Sequence, residues 1–138
     1  MNKFKLKIIA PDGIKYEEEA TEINLPTVDG HIAVLPNHMP LITLLKSGEI
    51  VIKDGNTTHN LATDGGIVEI SNNIVKILAD TAEDVGSLDE LKISEAKKIA
   101  EQRLANAKDG VEFAEASAML EKQITKLNLL AKRKRKYQ

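Results

Sequence analysis

All four prolines and seven of the eight glycines fall before residue 87 of this 138-residue chain. Gly and Pro interrupt helices and favour turns, so their placement divides the sequence into two grammars. Before residue 87, short apolar runs are separated by turn signals about every ten residues, without helical periods between them. After it, Ala, Glu, Lys and Leu dominate a nearly unbroken stretch. The expected fold is α+β: an N-terminal antiparallel β-sandwich over residues 1–86, then a C-terminal two-helix antiparallel hairpin with a basic tail over residues 87–138.

Within the first part, Lys3-Phe4-Lys5-Leu6-Lys7-Ile8 alternates charge with apolar, the period of a strand with one wet face. Its outer lysines suit an edge strand. Pro11-Asp12-Gly13 is a turn, and Ile14–Leu25 reads as one or two strands with Glu17, Glu18 and Glu19 as a solvated section between them. Asp54-Gly55, Asp64-Gly65-Gly66 and Asn72-Asn73 are turn signals that separate strands at Glu49–Ile52, Thr57–Ala62, Ile67–Ile70 and Ile74–Ala79.

Residues 26–50 are the least regular part. Pro26, Pro36 and Pro40 each fix φ and remove a backbone donor, which argues against a helix or a central strand. Between them run Ile32-Ala33-Val34-Leu35 and Leu41-Ile42-Thr43-Leu44-Leu45. The expected geometry is a chain that enters a core, leaves at a rigid corner and returns.

In the second part, Ser87 with Glu90 has the spacing of a capping box, and a first helix is expected over Leu88–Ala107, ~30 Å at 1.5 Å per residue. Its apolar stripe is Ala96, Ile99, Ala100, Leu104 and Ala107. Asp109-Gly110 breaks it, and Phe113, Ala116, Leu120, Ile124, Leu127 and Ala131 form a second stripe. Narrow, alanine-rich faces bury little surface, so the hairpin should be marginal alone and is a candidate moving element.

Composition excludes several chemistries. The chain has no cysteine, so disulfides and thiolate-held metals are absent, and its aromatic content of 3% makes the core aliphatic. The N-terminus lacks the apolar run of a signal peptide, and no segment has membrane-spanning length; the protein is not expected to insert in a membrane. Its three histidines, His31, His38 and His59, have no carboxylates at ligand spacing and no nucleophile beside them, so neither a metal site nor a catalytic residue is assigned. Charge is asymmetric: net −6 over residues 1–86 and +4 over residues 87–138. From Lys122 onward there are seven bases and no acid, ending in Lys132-Arg133-Lys134-Arg135-Lys136. Helix-dipole compensation needs fewer, so the run points to an acidic partner or a solvated end. The acidic sandwich argues against nucleic acid as that partner.

The corner DGHIAVLPNHMPLITLLKSGEI resembles the epsilon subunit of rotary (F-type) ATP synthases, whose pattern is matched by Gly30, Leu35, Pro36, His38, Pro40, Leu41, Thr43 and Gly48. KFKLKIIAPDG and ILADTAEDVGSLDELKISEAKKIAEQRLA are also similar to that family, so the resemblance covers nearly the whole chain. It implies a non-catalytic central-stalk subunit that joins gamma to the c-subunit ring of a proton- or sodium-driven synthase. Such a subunit is peripheral, on the cytoplasmic side of a bacterial membrane. The resemblance places Asp29, His31, Pro36, His38 and Pro40 at the c-ring/gamma interface. It also implies a hairpin that inhibits ATP hydrolysis when extended. In that state the basic residues Lys122, Lys126, Lys132, Arg133, Lys134, Arg135 and Lys136 approach the beta and alpha subunits of the catalytic head. Some relatives bind ATP as a regulatory ligand through an (I/L)-D-x-x-R-A pattern. Here Leu88 and Asp89 match, with Glu83 upstream, but Lys92 replaces the arginine and Ile93 the alanine. Lysine lacks the planar fork of arginine, which predicts weak or no ATP binding; no other cofactor is expected.

Overall fold

A computed structural model describes residues 2–136, apart from the Lys136 side chain. The chain separates into two compact units, Met1–Asp84 and Val85–Gln138. The first holds ten strands: β1 Phe4–Ala10, β2 Gly13–Ala20, β3 Glu22–Thr27, β4 Gly30–Val34, β5 Leu41–Leu45, β6 Gly48–Asp54, β7 Thr57–Thr63, β8 Gly66–Ser71, β9 Ile74–Ala79 and β10 Ala82–Asp84. They form one hydrogen-bonded path, β10-β7-β6-β3-β5-β8-β9-β1-β2, with β4 paired to β3.

That path folds over on itself as a sandwich, because inward residues from distant strands must share one core. Phe4, Leu6 and Ile8 of β1, Val75 and Ile77 of β9, Ile23 and Leu25 of β3, and Ile50 and Ile52 of β6 lie in a single buried cluster. Apart from Phe4 the buried core is aliphatic, as the composition requires. The far strands meet: the Tyr16 ring of β2 stands edge-on to His59 of β7, centroids 5.7 Å apart, and Lys3 Nζ bridges to Asp54 Oδ1 at 2.8 Å.

Three features depart from the local reading. Nearly all pairings are antiparallel, but β1 and β9 run parallel, Lys5 opposite Ile74 to Ile9 opposite Leu78. Glu17, Glu18 and Glu19 lie inside β2 rather than between strands; Glu19 and Glu17 stand opposite Lys5 and Lys7 on the outer face of β1, where Lys7 reaches Glu17 at 3.8 Å. Pro26 sits in β3, an internal strand, although proline argues against one. It is tolerated where β3 changes partner: Glu22–Asn24 pair with β6, Thr27 pairs with β5, and between them the Pro26 carbonyl accepts from Lys46 N at 2.8 Å.

The second unit opens with a 3-10 turn at Val85–Ser87, followed by α1 Glu90–Ala105 and α2 Gly110–Lys136. Asp89, not Ser87, is the N-cap of α1. Its Oδ1 accepts from Leu91 N (3.0 Å) and Lys92 N (3.2 Å) in the extended backbone a cap requires, whereas Ser87 is held in the preceding turn. The helix is therefore shorter than expected. α1 ends at Ala105 with Asn106 as its C-cap, ahead of the expected break, and Asp109-Gly110 starts α2: Asp109 Oδ1 accepts from Glu112 N, and Glu112 Oε2 accepts from Lys108 N, both at 2.8 Å. The helices run antiparallel, with Lys134 near the end of α2 bonded to Glu90 at the start of α1, and Arg103 Nη1 donating to Met119 Sδ near the loop.

The packed face differs from the apolar stripes. Ile93, Ala100, Ala116 and Leu130 are buried, whereas Ile99, Phe113 and Ile124, expected inward, are exposed. A helix turns toward its neighbour the face that allows close approach, and alanines allow it better than phenylalanine does. The unit is thinly packed, in keeping with the sequence.

One glycine fixes the β8–β9 hairpin. Gly66 has φ +148°, and a Cβ there would lie 2.2 Å from the Leu78 carbonyl oxygen. Gly66→Ala is expected to destabilise the sandwich by about 4 kcal/mol or more, because backbone rather than a movable side chain blocks the methyl. A urea midpoint equal to that of the parent chain would show that the strands can part at this point.

Candidate functional site

The proline-rich corner is residues 35–40, between β4 and β5. Its turn needs a left-handed residue, and Asn37 supplies it with φ 64°. The Asn37 backbone N–H donates to Asn73 Oδ1 at 2.7 Å, and Asn73 Nδ2 donates to the Lys3 carbonyl at 2.9 Å. Asn73 is itself left-handed, φ 60°, at the tip of the β8–β9 hairpin, and its carbonyl accepts from Lys5 N at 3.2 Å. One side chain thus ties the corner to the start of β1. Pro36 and Pro40 fix φ on either side of His38. His38 is half-buried, and its Nδ1 bonds the adjacent Met39 carbonyl at 2.7 Å; the Met39 side chain is 73% exposed.

The expected interface residues divide between two places. Pro36, His38 and Pro40 share the corner. Asp29 lies in the β3–β4 turn and His31 at the start of β4, at the end opposite the corner, ~13 Å away along a strand rising about 3.3 Å per residue. Both are exposed. The turn is braced by Thr27, whose Oγ1 donates to the Gly30 carbonyl at 2.6 Å and accepts from Asp29 N at 3.3 Å. Gly48, the last glycine of the motif, lets the Pro26 ring close in: a Cβ there would lie 3.0 Å from Pro26 Cβ and Cγ.

A surface that the sequence reading missed lies on the same unit. Leu44, Ile67, Leu78, Ile9 and Ile14 are successive cross-strand partners over β5, β8, β9, β1 and β2. Direct partners share a face, so the five form one row. Leu44, Ile67, Leu78 and Ile14 are all about half exposed, and Ile9 is partly so. The signal was present in LITLL, KIIA and KILA, where apolar residues occupy both faces of a strand instead of alternating.

On α2, Lys122, Lys126 and Arg133 share a helical face by spacing, and Lys132, Arg133, Lys134 and Arg135 are exposed in the last turns. Lys134 is engaged with Glu90. The Lys136 side chain, part of the expected basic set, lies outside the described residues. Of the candidate nucleotide residues, Glu83 belongs to β10 in the first unit, and Asp89 and Lys92 to the start of α1 in the second. The Asp89 carboxylate already serves as the helix cap. Among the described residues no cluster of His, Asp and Glu could hold a metal, and no helix is long and apolar enough to cross a membrane.

A β-sandwich with a stiff corner, followed by a cationic helical hairpin, is the organisation of a stalk subunit. The sequence pattern of the family described as "ATP synthase, Delta/Epsilon chain, beta-sandwich domain" matches residues 3–85. An ATP synthase epsilon chain of Clostridium kluyveri is 44% identical over 128 residues, covering 91% of this chain and 96% of its own. That of Bacillus cytotoxicus is 33% identical over 129 residues, covering 94% and 97%. The fold is similar to a chain of the Euglena gracilis mitochondrial ATP synthase OSCP/F1/c-ring structure, with TM-score 0.78, 19% identity, and coverage of 89% of this chain and 78% of that one. It is also similar to a chain of the Tetrahymena thermophila mitochondrial ATP synthase central stalk/c-ring structure, with TM-score 0.66, 13% identity, and coverage of 94% and 97%. The chain belongs to the ATP synthase epsilon-chain family, whose members are non-catalytic stalk subunits.

Asn73→Ala should lower stability by about 2–3 kcal/mol, from two lost hydrogen bonds and a left-handed backbone that alanine tolerates poorly. Urea unfolding checks it. A loss below about 0.5 kcal/mol would mean that the prolines alone hold the corner.

Proposed function

We propose that the chain is a rotor subunit of an ion-driven ATP synthase on the cytoplasmic face of a bacterial membrane. In this reading the sandwich joins the gamma subunit to the c ring, and the hairpin restrains ATP hydrolysis. The observation that carries the reading is the pairing of family membership with a stiff, pinned corner on an otherwise regular sandwich. A contact that passes torque must not yield, and a corner held by two prolines and Asn73 is stiff for local reasons.

The two ends of β4 give this reading two contact zones, Pro36-His38-Pro40 at one and Asp29-His31 at the other. The apolar row Leu44-Ile67-Leu78-Ile9-Ile14 is the surface we assign to gamma. A half-exposed aliphatic stripe across five strands is what a permanent partner covers, and it is costly to leave in water. Leu78→Asp is expected to abolish copurification with gamma while the isolated chain keeps its fold, as read by circular dichroism. Undiminished copurification would remove the row from the interface.

The hairpin's thin packing supports a regulatory element, since a segment that changes state must be weakly held in each. Lys122, Lys126, Lys132, Arg133, Lys134, Arg135 and Lys136 are the cations assigned to an acidic surface of the beta and alpha subunits. Asp89 acts as the cap of α1, and Lys92 lacks the fork of arginine, so ATP is not assigned as a ligand. Deleting residues 88–138 from the assembled synthase is expected to raise ATP hydrolysis severalfold. Unchanged hydrolysis would discard the inhibitory role and leave the assembly role standing.

A further inference from the structure

His38 is the one titratable side chain in the corner, and its ring is committed in a specific way. Nδ1 lies 2.7 Å from the Met39 carbonyl oxygen. A carbonyl only accepts, so Nδ1 carries the proton, and in the neutral ring Nε2 holds the free lone pair. The ring also stands on a fixed base, with Asn37 bonded to Asn73 before it and Pro40 after it. We propose that Nε2 of His38 is the recognition atom of the corner: it accepts one hydrogen bond from an N–H donor side chain (amide, ammonium or guanidinium) of the c-ring surface on which the corner docks. This inference rests on the proposed docking of the corner and adds its polarity. Because the donor's target is held in advance, little ordering is lost when the contact forms.

The first test is 15N NMR of the full-length chain with labelled histidine in mildly alkaline buffer. The expected result is a protonated Nδ1 and an unprotonated Nε2 for His38. A protonated Nε2 in the neutral ring overturns the proposal. The second test titrates full-length variants into synthase depleted of this subunit. His38→Asn keeps a donor at the Nδ1 position and removes the Nε2 acceptor, and should bind about five- to tenfold more weakly, the worth of one hydrogen bond. His38→Gln restores an acceptor near the Nε2 position and should recover most of that loss. An Asn variant that binds like the parent overturns the proposal. Met39→Asp separates the two levels of inference, because a charge at this exposed tip must disturb any docked corner. If Met39→Asp weakens binding and His38→Asn does not, only the acceptor assignment fails. If neither does, the docking of the corner fails with it.

Discussion

The side chain of Asn73 makes a local irregularity into a fixed surface. It accepts from the corner at Asn37 and donates to the chain entering β1 at Lys3, from a hairpin tip distant from both in sequence. Without it the corner would be a six-residue loop attached only at its two ends, stiff at Pro36 and Pro40 and free to pivot between them. At Asn37 neither β4 nor β5 can supply a partner for the backbone N–H, since β4 has ended and β5 has not begun. The side chain therefore does what a neighbouring strand does elsewhere in the sandwich. Its own left-handed backbone explains why asparagine suits the place, since glycine would supply the φ without the two hydrogen bonds.

What the sequence disclosed follows from how local each cause is. Turn pairs and alternation are local, so Asp54-Gly55 and Asn72-Asn73 turn and KFKLKI forms a strand as expected. That strand lies between β9 and β2 rather than at the edge its lysines suggested, because pairing partners are set by the whole sheet. The corner was legible as a corner because proline acts on its own residue. Partners are not local. The parallel pairing of β1 with β9 depends on a register set by the shared core, and no turn connects the two strands. Pro26 shows the same limit from the other side: proline is excluded where a ladder needs its donor, and only the topology reveals that β3 is changing neighbours there. In the hairpin, apolar spacing gave two stripes, but packing selected the alanines and left Phe113 and Ile124 outside. The apolar row was written in the sequence as strands with apolar residues on both faces. It could be read as a surface only once the register aligned its five members.

The two units contrast in how they are held. The sandwich interlocks inward residues from most of its strands, so its parts cannot loosen independently. The hairpin depends on a few small buried side chains, on caps at Asp89 and Asp109, and on the Lys134–Glu90 pair. Exposed ion pairs of that kind contribute on the order of 0–1 kcal/mol and are screened by salt, so none of these devices commits the helices strongly to one arrangement. A rigid unit joined to a weakly held one is the division of labour that the proposed coupling and regulatory roles require.

Within the sandwich, the two proposed surfaces differ in chemistry as their duties differ. The aliphatic row has no polar group to orient a partner, and its attraction grows with the area covered, which suits a partner that stays. The corner is small and presents prolines, one exposed methionine and one imidazole whose Nδ1 is bonded to the next carbonyl. A contact of that size cannot rely on area; it must rely on position. An acceptor held by its own neighbour's carbonyl on a pinned loop fixes register against a repetitive surface, because a hydrogen bond made in one placement is lost by a shift of about an ångström. Register, rather than adhesion, is what a coupling between a turning ring and its stalk has to preserve, and a single oriented polar atom on a stiff base is sufficient to specify it.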